Sequence, residues 1–272
     1  MSPLTERADR VAAAVKLHRA VARRRAARFL AEGPNLVESA LRRGLVSEVF
    51  ATAAAIDRFA DLLADAPVYE VTERAAKALS DTVTPVGLVA VCRLPDVSLD
   101  DVLAATPRLI AVAVQLSEPG NAGTLIRVAD AMGADAVILA GNAVDPYNSK
   151  CLRASAGSIF SIPVLSETDE SATVARLRAA GLQVLATTVD GEVSLSAPEF
   201  ERALAAPTAW LFGPEAHGLP TGLTAMADHR VHIPMAGKAE SLNIASAASI
   251  CLYESARAAA RSQREFPARA DT

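Results

Sequence analysis

The order of apolar and polar positions predicts a chain in which strands and helices alternate. Five segments from residue 109 onward are mostly apolar, namely 109–115, 136–140, 183–187, 208–212 and 230–233. Amphipathic segments with helical spacing, such as 124–132 and 171–180, lie between them. Apolar strands without alternation are typical of a parallel sheet that helices cover on both faces. The pattern therefore predicts an α/β fold with a parallel sheet.

A smaller α/β unit is predicted before this sheet. The pattern there favours strands at 46–51, 68–71 and 87–92 and helices at 35–42, 54–64 and 73–80. The stretch 95–107 contains three aspartates between two prolines and is typical of a linker. We therefore expect an N-terminal domain at 1–94, a linker at 95–107 and a second domain at 108–265.

Composition narrows the class of protein. With 272 residues, 51% of them hydrophobic, the chain can bury one large core or two modest ones. No apolar run approaches the roughly 18 to 20 residues of a membrane helix, and charges are scattered through the first 28 residues. We expect a cytoplasmic protein without a membrane partner. Cys92, Cys151 and Cys251 lie far apart in apolar surroundings, so we expect buried thiols and no metal site.

Charge is distributed unevenly. The net charge of −4 argues against nucleic-acid binding, because neutralisation of phosphates dominates such affinity. The first 44 residues nevertheless carry more basic than acidic side chains. The basic ones are Arg7, Arg10, Lys16, Arg19, Arg23, Arg24, Arg25, Arg28, Arg42 and Arg43, and the acidic ones are Glu6, Asp9, Glu32 and Glu38. Both an RNA-binding arm and a solvated amphipathic helix fit this pattern.

The first unusual loop, 117–133, follows the strand at 109–115. Ligands of open α/β sheets bind at the carboxyl ends of strands, so this loop is a candidate site. Gly120 and Gly123 flank Asn121, and a helix is expected from Thr124, which together predict free backbone N–H groups for an anion. The dinucleotide-binding pattern GxGxxG is absent, which disfavours a dehydrogenase.

Arg127 is the candidate for charge chemistry in this segment. Its position in the expected helix fits a bidentate contact with a phosphate. A surface ion pair with Asp130 or Glu118 fits its spacing equally well.

Two further loops follow the strands at 208–212 and 230–233. Gly213, Pro214 and Gly218 predict a stiff turn that presents Glu215, although Glu215 also fits an ordinary exposed acid. In the second loop, Ser241 or Asn243 can cap the helix that follows. The apolar walls of a pocket between the two loops are Leu211, Ile233, Met235 and Leu242. Such a pocket suits an adenine ring and a sulfonium chain better than a triphosphate.

Together these loops resemble the three motifs of the SpoU/TrmH branch of the SPOUT RNA methyltransferases. Motif 1 corresponds to 118–127, motif 2 to 213–219, and motif 3 to 233–235, 241–243 and 252–254. One departure is Glu118, where the family commonly has Asp. The N-terminal unit resembles an L30e-like substrate-binding domain through 29–33 and 84–87.

The resemblance implies methyl transfer from S-adenosylmethionine to a ribose 2'-hydroxyl of RNA, by a homodimer whose parallel-sheet domain carries a C-terminal trefoil knot. It implies that the backbone around Gly213, Ile233 and Leu242 holds the adenosyl group. Arg127 matches the essential arginine of the family. Asn121 is expected to position substrate or Arg127, and Glu215 to fix the motif 2 loop or accept a hydrogen bond. Ser241 and Asn243 are expected to brace their loop and face the substrate. Ribosomal RNA (23S) is the first expected substrate, transfer RNA is the alternative, and a non-catalytic RNA-binding protein on this fold is the second alternative.

Overall fold

The structure is a computed structural model in which residues 2–265 are described. Its strands are β1 (Arg28–Glu32), β2 (Val46–Ala51), β3 (Val68–Glu70), β4 (Leu88–Arg93), β5 (Leu109–Val114), β6 (Ala136–Ala140), β7 (Val164–Glu167), β8 (Gln183–Thr187), β9 (Val193–Ser194), β10 (Thr208–Phe212) and β11 (His229–His232). Its α-helices are α1 (Asp9–Val15), α2 (Ala20–Ala26), α3 (Pro34–Arg42), α4 (Ala53–Arg58), α5 (Ala60–Leu63), α6 (Glu73–Leu79), α7 (Leu99–Ala104), α8 (Pro119–Ala131), α9 (Ser149–Ser155), α10 (Glu170–Ala179), α11 (Glu201–Leu204), α12 (Thr221–Thr224) and α13 (Ile244–Glu265). Short 3₁₀ helices lie at Lys16–His18, Ser158–Phe160 and Pro198–Phe200. Within the described range, no helix is long and apolar enough to cross a bilayer.

The chain forms two compact units. The first contains residues 2–96 and 145–160, and the second contains 97–144 and 161–265. The sequence pattern assigned 145–160 to the second domain, but its aromatic side chains pack in the first unit. Phe29 of β1 contacts Tyr147 and Phe160, with ring centroids 4.8 and 6.1 Å away. The two domains as functional units stay a prediction.

The first unit is built on a four-stranded sheet in the order β1-β4-β2-β3. Strands β1 and β2 are antiparallel to β4, and β3 is parallel to β2. The patterns at 46–51, 68–71 and 87–92 predicted three of these strands. Strand β1 was not predicted as a strand, because its first residue, Arg28, belongs to the basic run of the N-terminus.

One arginine of this basic run is a structural residue. Arg23 is buried, and its Nε and Nη2 donate to Asp145 Oδ2 at 2.8 and 2.6 Å. Its Nη1 donates to the carbonyls of Leu17 and His18, both at 2.9 Å. A buried guanidinium needs such partners, and these hydrogen bonds use four of its five N–H donors. Of the two interpretations of the basic run, neither an RNA-binding arm nor a solvated helix describes Arg23.

The second unit contains a seven-stranded sheet in the order β7-β6-β5-β10-β8-β11-β9. Every neighbouring pair is parallel, which confirms the predicted fold class. All five predicted strands are present. The pattern missed β7 and β9, which lie at the two edges of the sheet. Edge strands bury fewer side chains, so their sequences lack a continuous apolar run.

The segment 95–107, predicted as a linker, contains helix α7. Ser98 and Asp101 form a capping box, in which each side chain bonds the other residue's backbone N–H. Leu99 and Val102 of this helix are buried in the core of the second unit. The S-x-x-D signal was present in the sequence, and the flanking prolines obscured it.

The three cysteines are buried, as predicted. Burial raises the pKa of the Cys92 thiol to about 12. Burial, followed by the nearby charge of Glu254, also raises the pKa of Cys251. The thiols of Cys92 and Cys251 therefore stay neutral near pH 7 and act as small apolar core groups.

Candidate active site

A cavity of about 700 Å³ lies at the carboxyl end of the parallel sheet. Strands β10, β8 and β11 are neighbours, so the loops that follow them converge there. Its lining comes from these loops and from the first turn of α13. The lining residues are Thr187, Thr188, Val189, Asp190, Phe212, Gly213, Pro214, Glu215, Ala216, His217, Gly218, Leu219, Thr221, Thr224, Arg230, Val231, Ile233, Met235, Glu240, Ser241, Leu242, Ile244 and Ala247.

Four of the five residues expected to bind a cofactor line this cavity, and they are Gly213, Ile233, Met235 and Leu242. Leu211 does not. It is fully buried within β10, and its carbonyl accepts a hydrogen bond of 2.9 Å from Thr187 Oγ1. Leu211 therefore supports the end of β8 from behind the cavity.

Gly213 allows two backbone segments to approach closely. A Cβ atom at this position would lie 2.5 Å from the backbone nitrogen of Leu219 and 2.6 Å from the carbonyl carbon of Gly218. No side chain fits there without a backbone shift. The glycine of motif 2 therefore keeps the turn folded back on itself and leaves its backbone accessible to the cavity.

The loop after β8 is the part of the cavity that the sequence reasoning missed. It contributes Thr187, Thr188, Val189 and Asp190. A signal for this loop was present in the sequence, because the apolar strand 183–187 is followed by Thr-Val-Asp-Gly, which is typical of a turn at a strand end. The Oγ1 atom of Thr188 is buried and has no hydrogen-bond partner among the described residues. Buried hydroxyls are normally bonded, so this atom indicates a ligand contact.

Glu215 joins the three predicted motifs through one oxygen atom. Its Oε1 accepts hydrogen bonds from Asn121 Nδ2 at 3.3 Å, from Asn243 Nδ2 at 2.7 Å and from the backbone nitrogen of Ile244 at 3.0 Å. The carboxylate also lies at the N-terminus of α13, where the helix dipole favours negative charge. Glu215 thus connects the start of α8, the motif 2 turn and the start of α13.

Asn243 has two roles in the same network. Its Oδ1 accepts from the backbone nitrogens of Ala245 and Ser246 at 3.0 and 3.4 Å, which caps α13. Its Nδ2 donates to Asn121 Oδ1 at 3.0 Å as well as to Glu215. The cap expected from Ser241 or Asn243 is therefore made by Asn243. Ser241 lines the cavity, and no side-chain hydrogen bond of Ser241 occurs in residues 2–265.

Helix α8 begins five residues earlier than the sequence predicted. Pro119 occupies its first turn, and Glu118 Oε2 accepts from the backbone nitrogen of Asn121 at 2.7 Å. The backbone N–H of Asn121 is thus already bonded within the chain. The prediction that this loop offers free backbone N–H groups to an anion is therefore wrong at Asn121. Proline at a helix start and an acidic cap explain the shift.

Arg127 lies on the exposed side of α8, two turns into the helix. It forms neither an ion pair nor a hydrogen bond with any described residue, so the predicted alternative of a surface pair with Asp130 or Glu118 is absent from this part of the chain. Its guanidinium is available to a ligand outside the chain.

Residues 108–253 match the SpoU rRNA Methylase family, and residues 8–90 match the MRM3-like substrate binding domain. The chain is 36% identical over 242 residues to the 23S rRNA (guanosine(2553)-2'-O)-methyltransferase RlmP of Bacillus subtilis, across 88% of this chain and 92% of that protein. The chain belongs to the SpoU rRNA methylase family, which confirms the resemblance found in the motifs.

Two solved structures share the fold. The AdoMet-bound rRNA methyltransferase from Sinorhizobium meliloti has a TM-score of 0.80 and 30% identity, and the match covers 94% of this chain and 97% of that chain. The SpoU methyltransferase AviRb from Streptomyces viridochromogenes, in complex with AdoMet, has a TM-score of 0.79 and 31% identity, with 92% and 98% covered.

Proposed function

We propose that this protein transfers a methyl group from S-adenosylmethionine to a ribose 2'-hydroxyl of 23S ribosomal RNA. The proposal rests on the three hydrogen bonds to Glu215 Oε1, a network that we call the joint at Glu215. These bonds connect all three family motifs beside one cavity. Family membership and the names of the relatives supply the reaction class and the RNA.

The residues around the cavity fit this cofactor. A volume of about 700 Å³ is within the usual range of small-molecule sites. Ile233, Met235 and Leu242 offer apolar walls, and the backbone at Gly213 is open to close approach. The unpartnered hydroxyl of Thr188 provides a polar contact. We propose that these residues hold the cofactor and that Leu211 acts only through the fold.

Bound there, S-adenosylmethionine supplies a methyl group activated by a sulfonium. The chain then has to orient the ribose oxygen and stabilise the charge that develops on it. Asn121 and Asn243, fixed by Glu215, hold the rim of the site in one geometry. Ser241, on the lining of the cavity, faces the substrate.

Arg127 acts as a charged clamp in this proposal. Arginine side chains do not lose their proton in proteins, so we do not assign Arg127 as the general base. Its free, exposed guanidinium suits a substrate phosphate and the developing alkoxide.

The family resemblance also supports proposals about the oligomeric state, the knot and the cellular location of the protein. We propose a homodimer, a trefoil knot in the C-terminal region and a cytoplasmic location, where ribosomal RNA is available. Size measurement in solution tests the dimer directly, and a monomer that transfers methyl groups at full rate would contradict it.

The reaction is tested with methyl-labelled S-adenosylmethionine and an unmodified 23S rRNA transcript, followed by digestion to nucleosides. We expect the label in a single 2'-O-methyl nucleoside. Label on a base would contradict the reaction class. Label on a transfer RNA transcript alone would favour the alternative substrate, and RNA binding without transfer to either RNA would favour a non-catalytic protein.

A further inference from the structure

Five exposed arginines gather at one end of the sheet of the first unit. We name this set the cationic strand end, and its members are Arg24, Arg25, Arg28, Arg43 and Arg93. Arg93 was not part of the basic arm seen in the sequence, because it lies fifty residues beyond Arg43. The fold adds it to the set.

Backbone hydrogen bonds hold the three segments of this end together. The nitrogen of Leu94 donates to the carbonyl of Ala27 at 2.9 Å, and the nitrogen of Arg93 donates to the carbonyl of Leu45, also at 2.9 Å. Arg93 Nη2 donates to the carbonyl of Gly44 at 2.8 Å. The ends of α2 and α3 and of strands β1 and β4 therefore form one continuous surface.

Arg28 and Arg93 are directly opposite each other in the antiparallel pair of β1 and β4. Facing residues of this kind have Cβ atoms about 4.5 to 5.5 Å apart, and like charges in such a pair are destabilising. The chain thus carries two guanidinium groups where folding alone disfavours them. An external anion between or above them removes that penalty.

The members of the cationic strand end form no ion pair with any residue of the described chain. Five other arginines of the first unit are paired, namely Arg10 with Glu48 at 3.1 Å, Arg23 with Asp145 at 2.6 Å, Arg42 with Glu38 at 2.5 Å, Arg74 with Glu6 at 3.2 Å and Arg153 with Asp81 at 3.8 Å. Arg7, Arg19 and Arg58 are also unpaired among the described residues, but they do not belong to this cluster. Asp9 and Glu48 line the same shallow groove as Arg28, but Glu48 is bonded to Arg10 and neither carboxylate forms an ion pair with Arg28. The charges of the cationic strand end are thus left for a partner outside the chain.

Helix dipoles explain only part of this set. Arg24 and Arg25 lie in the last turn of α2, and Arg43 follows the last turn of α3, where cations are favourable. Arg28 and Arg93 lie on strands, so no helix dipole accounts for them.

The opposite end of the same strand has the opposite charge. Strand β1 begins at Arg28 and ends at Glu32, whose carboxylate accepts from the backbone nitrogen of Asp81 and from the Thr82 hydroxyl. Over five residues, roughly 13 Å at about 3.3 Å per step, the strand passes from the unpaired guanidinium of Arg28 to the bonded carboxylate of Glu32. A polyanion is therefore directed to one end of this sheet.

We propose that the cationic strand end binds the phosphate backbone of the RNA substrate, with Arg28 and Arg93 as its centre. This inference rests on the proposed function, because it names the surface that the first unit presents to the same RNA. Guanidinium groups contact phosphate oxygens bidentately, and these contacts give affinity without base specificity.

The test compares the full-length double variant Arg28→Gln/Arg93→Gln with wild type, using a 23S rRNA transcript over a range of salt concentrations. We expect roughly tenfold weaker binding near physiological salt. We also expect the slope of log affinity against log salt to fall by about one to two, because phosphate contacts are lost. Thermal stability should change little, because relief of the facing like charges offsets the loss of the hydrogen bond from Arg93 Nη2 to the Gly44 carbonyl.

The matched control is Arg58→Gln/Lys77→Gln, which removes the same charge from exposed positions of the first unit. We expect its RNA affinity to stay within about twofold of wild type. Equal RNA binding by the two double variants would overturn the inference. Failure of the wild-type protein to bind the transcript would instead overturn the proposed function. Loss of binding to phosphatidylglycerol vesicles with unchanged RNA binding would assign the surface to membranes and also overturn the inference.

Discussion

Glu215 beside the cavity accepts three hydrogen bonds on one oxygen, whereas Arg28 and Arg93 at the cationic strand end have no carboxylate partner in the described chain. The first arrangement fixes geometry before any ligand arrives, as catalysis requires. The second keeps charges solvated until phosphates replace the water, as binding of a polyanion requires. The difference indicates that the first site is built for positioning and the second for charge.

Arg127 lies on the helix that carries part of the Glu215 network, but its surroundings are like those of the arginines at the cationic strand end. It lies on the same helix as Asn121, yet it is exposed and unpaired within residues 2–265. We interpret this as the point where the fixed site meets the RNA.

Replacing Arg127 by Ala should have the largest effect. Loss of one charge-stabilising donor typically lowers the rate about 10²- to 10³-fold, and we expect at least this loss in labelled methyl transfer. Affinity for S-adenosylmethionine, measured by calorimetry, should stay within a few-fold, because Arg127 does not line the cavity. Arg127→Lys keeps the charge without the planar fork and should recover only part of the rate. Wild-type rates in the Ala variant would contradict the assignment.

Gly213→Ala should disrupt the motif 2 turn and the cavity that it lines. The new methyl group would meet backbone atoms at 2.5 and 2.6 Å, so the motif 2 turn must move. We expect about 1 to 3 kcal/mol of lost stability and loss of cofactor binding in calorimetry. The control is Gly222→Ala, where nothing lies within 4 Å of the added carbon. That variant should be as stable as wild type or slightly more so, and equal behaviour of the two variants would count against the role of Gly213.

Two substitutions of Asn243 separate its two roles. Ala removes both the cap and the contacts with Asn121 and Glu215, so it should cost about 1 kcal/mol of stability and most of the activity. Asp keeps the oxygen that caps α13 but replaces the Nδ2 donor by a second carboxylate oxygen next to Glu215.

We therefore expect Asn243→Asp to lose activity while retaining the cap. Asn148→Asp is the control, since Asn148 caps α9 through its oxygen. Full activity in Asn243→Asp would show that the joint at Glu215 is not needed for catalysis.

The smallest effects are expected for two neighbouring threonines at the end of β8. Thr187 Oγ1 donates to the carbonyl of Leu211 at 2.9 Å, so Thr187→Val should cost about 1 kcal/mol. Thr188 Oγ1 is buried without a partner in the described chain, so Thr188→Val should be neutral or slightly stabilising without cofactor. Thermal unfolding with and without S-adenosylmethionine checks both. If the hydroxyl contacts the cofactor, the stabilisation by ligand should shrink only in Thr188→Val.

Much of the second unit could be predicted from the sequence, because its central strands are buried on both sides and read as continuous apolar runs. The edge strands β7 and β9 carry weaker patterns and were missed. Helix α8 was predicted too late, since the glycines after Pro119 were interpreted as a loop.

Long-range pairing could not be predicted. The sequence identified Asn121, Glu215 and Asn243 as site residues, but not that a single oxygen joins them across 122 positions. Arg23 was assigned to an RNA-binding arm because its partner, Asp145, is equally distant in sequence. Leu211 was expected at the cofactor, yet it lies within β10, where every residue is buried. The loop after β8 was not predicted as part of the site, because its residues are ordinary turn formers.

We propose that the cavity lined by Gly213, Ile233 and Leu242 holds the methyl donor. A crystal structure of the protein with S-adenosylhomocysteine is the decisive test. We expect density for the nucleoside in this cavity, against the motif 2 and motif 3 backbone and within reach of the Thr188 hydroxyl. Density for the bound molecule at any other place in the chain would contradict it.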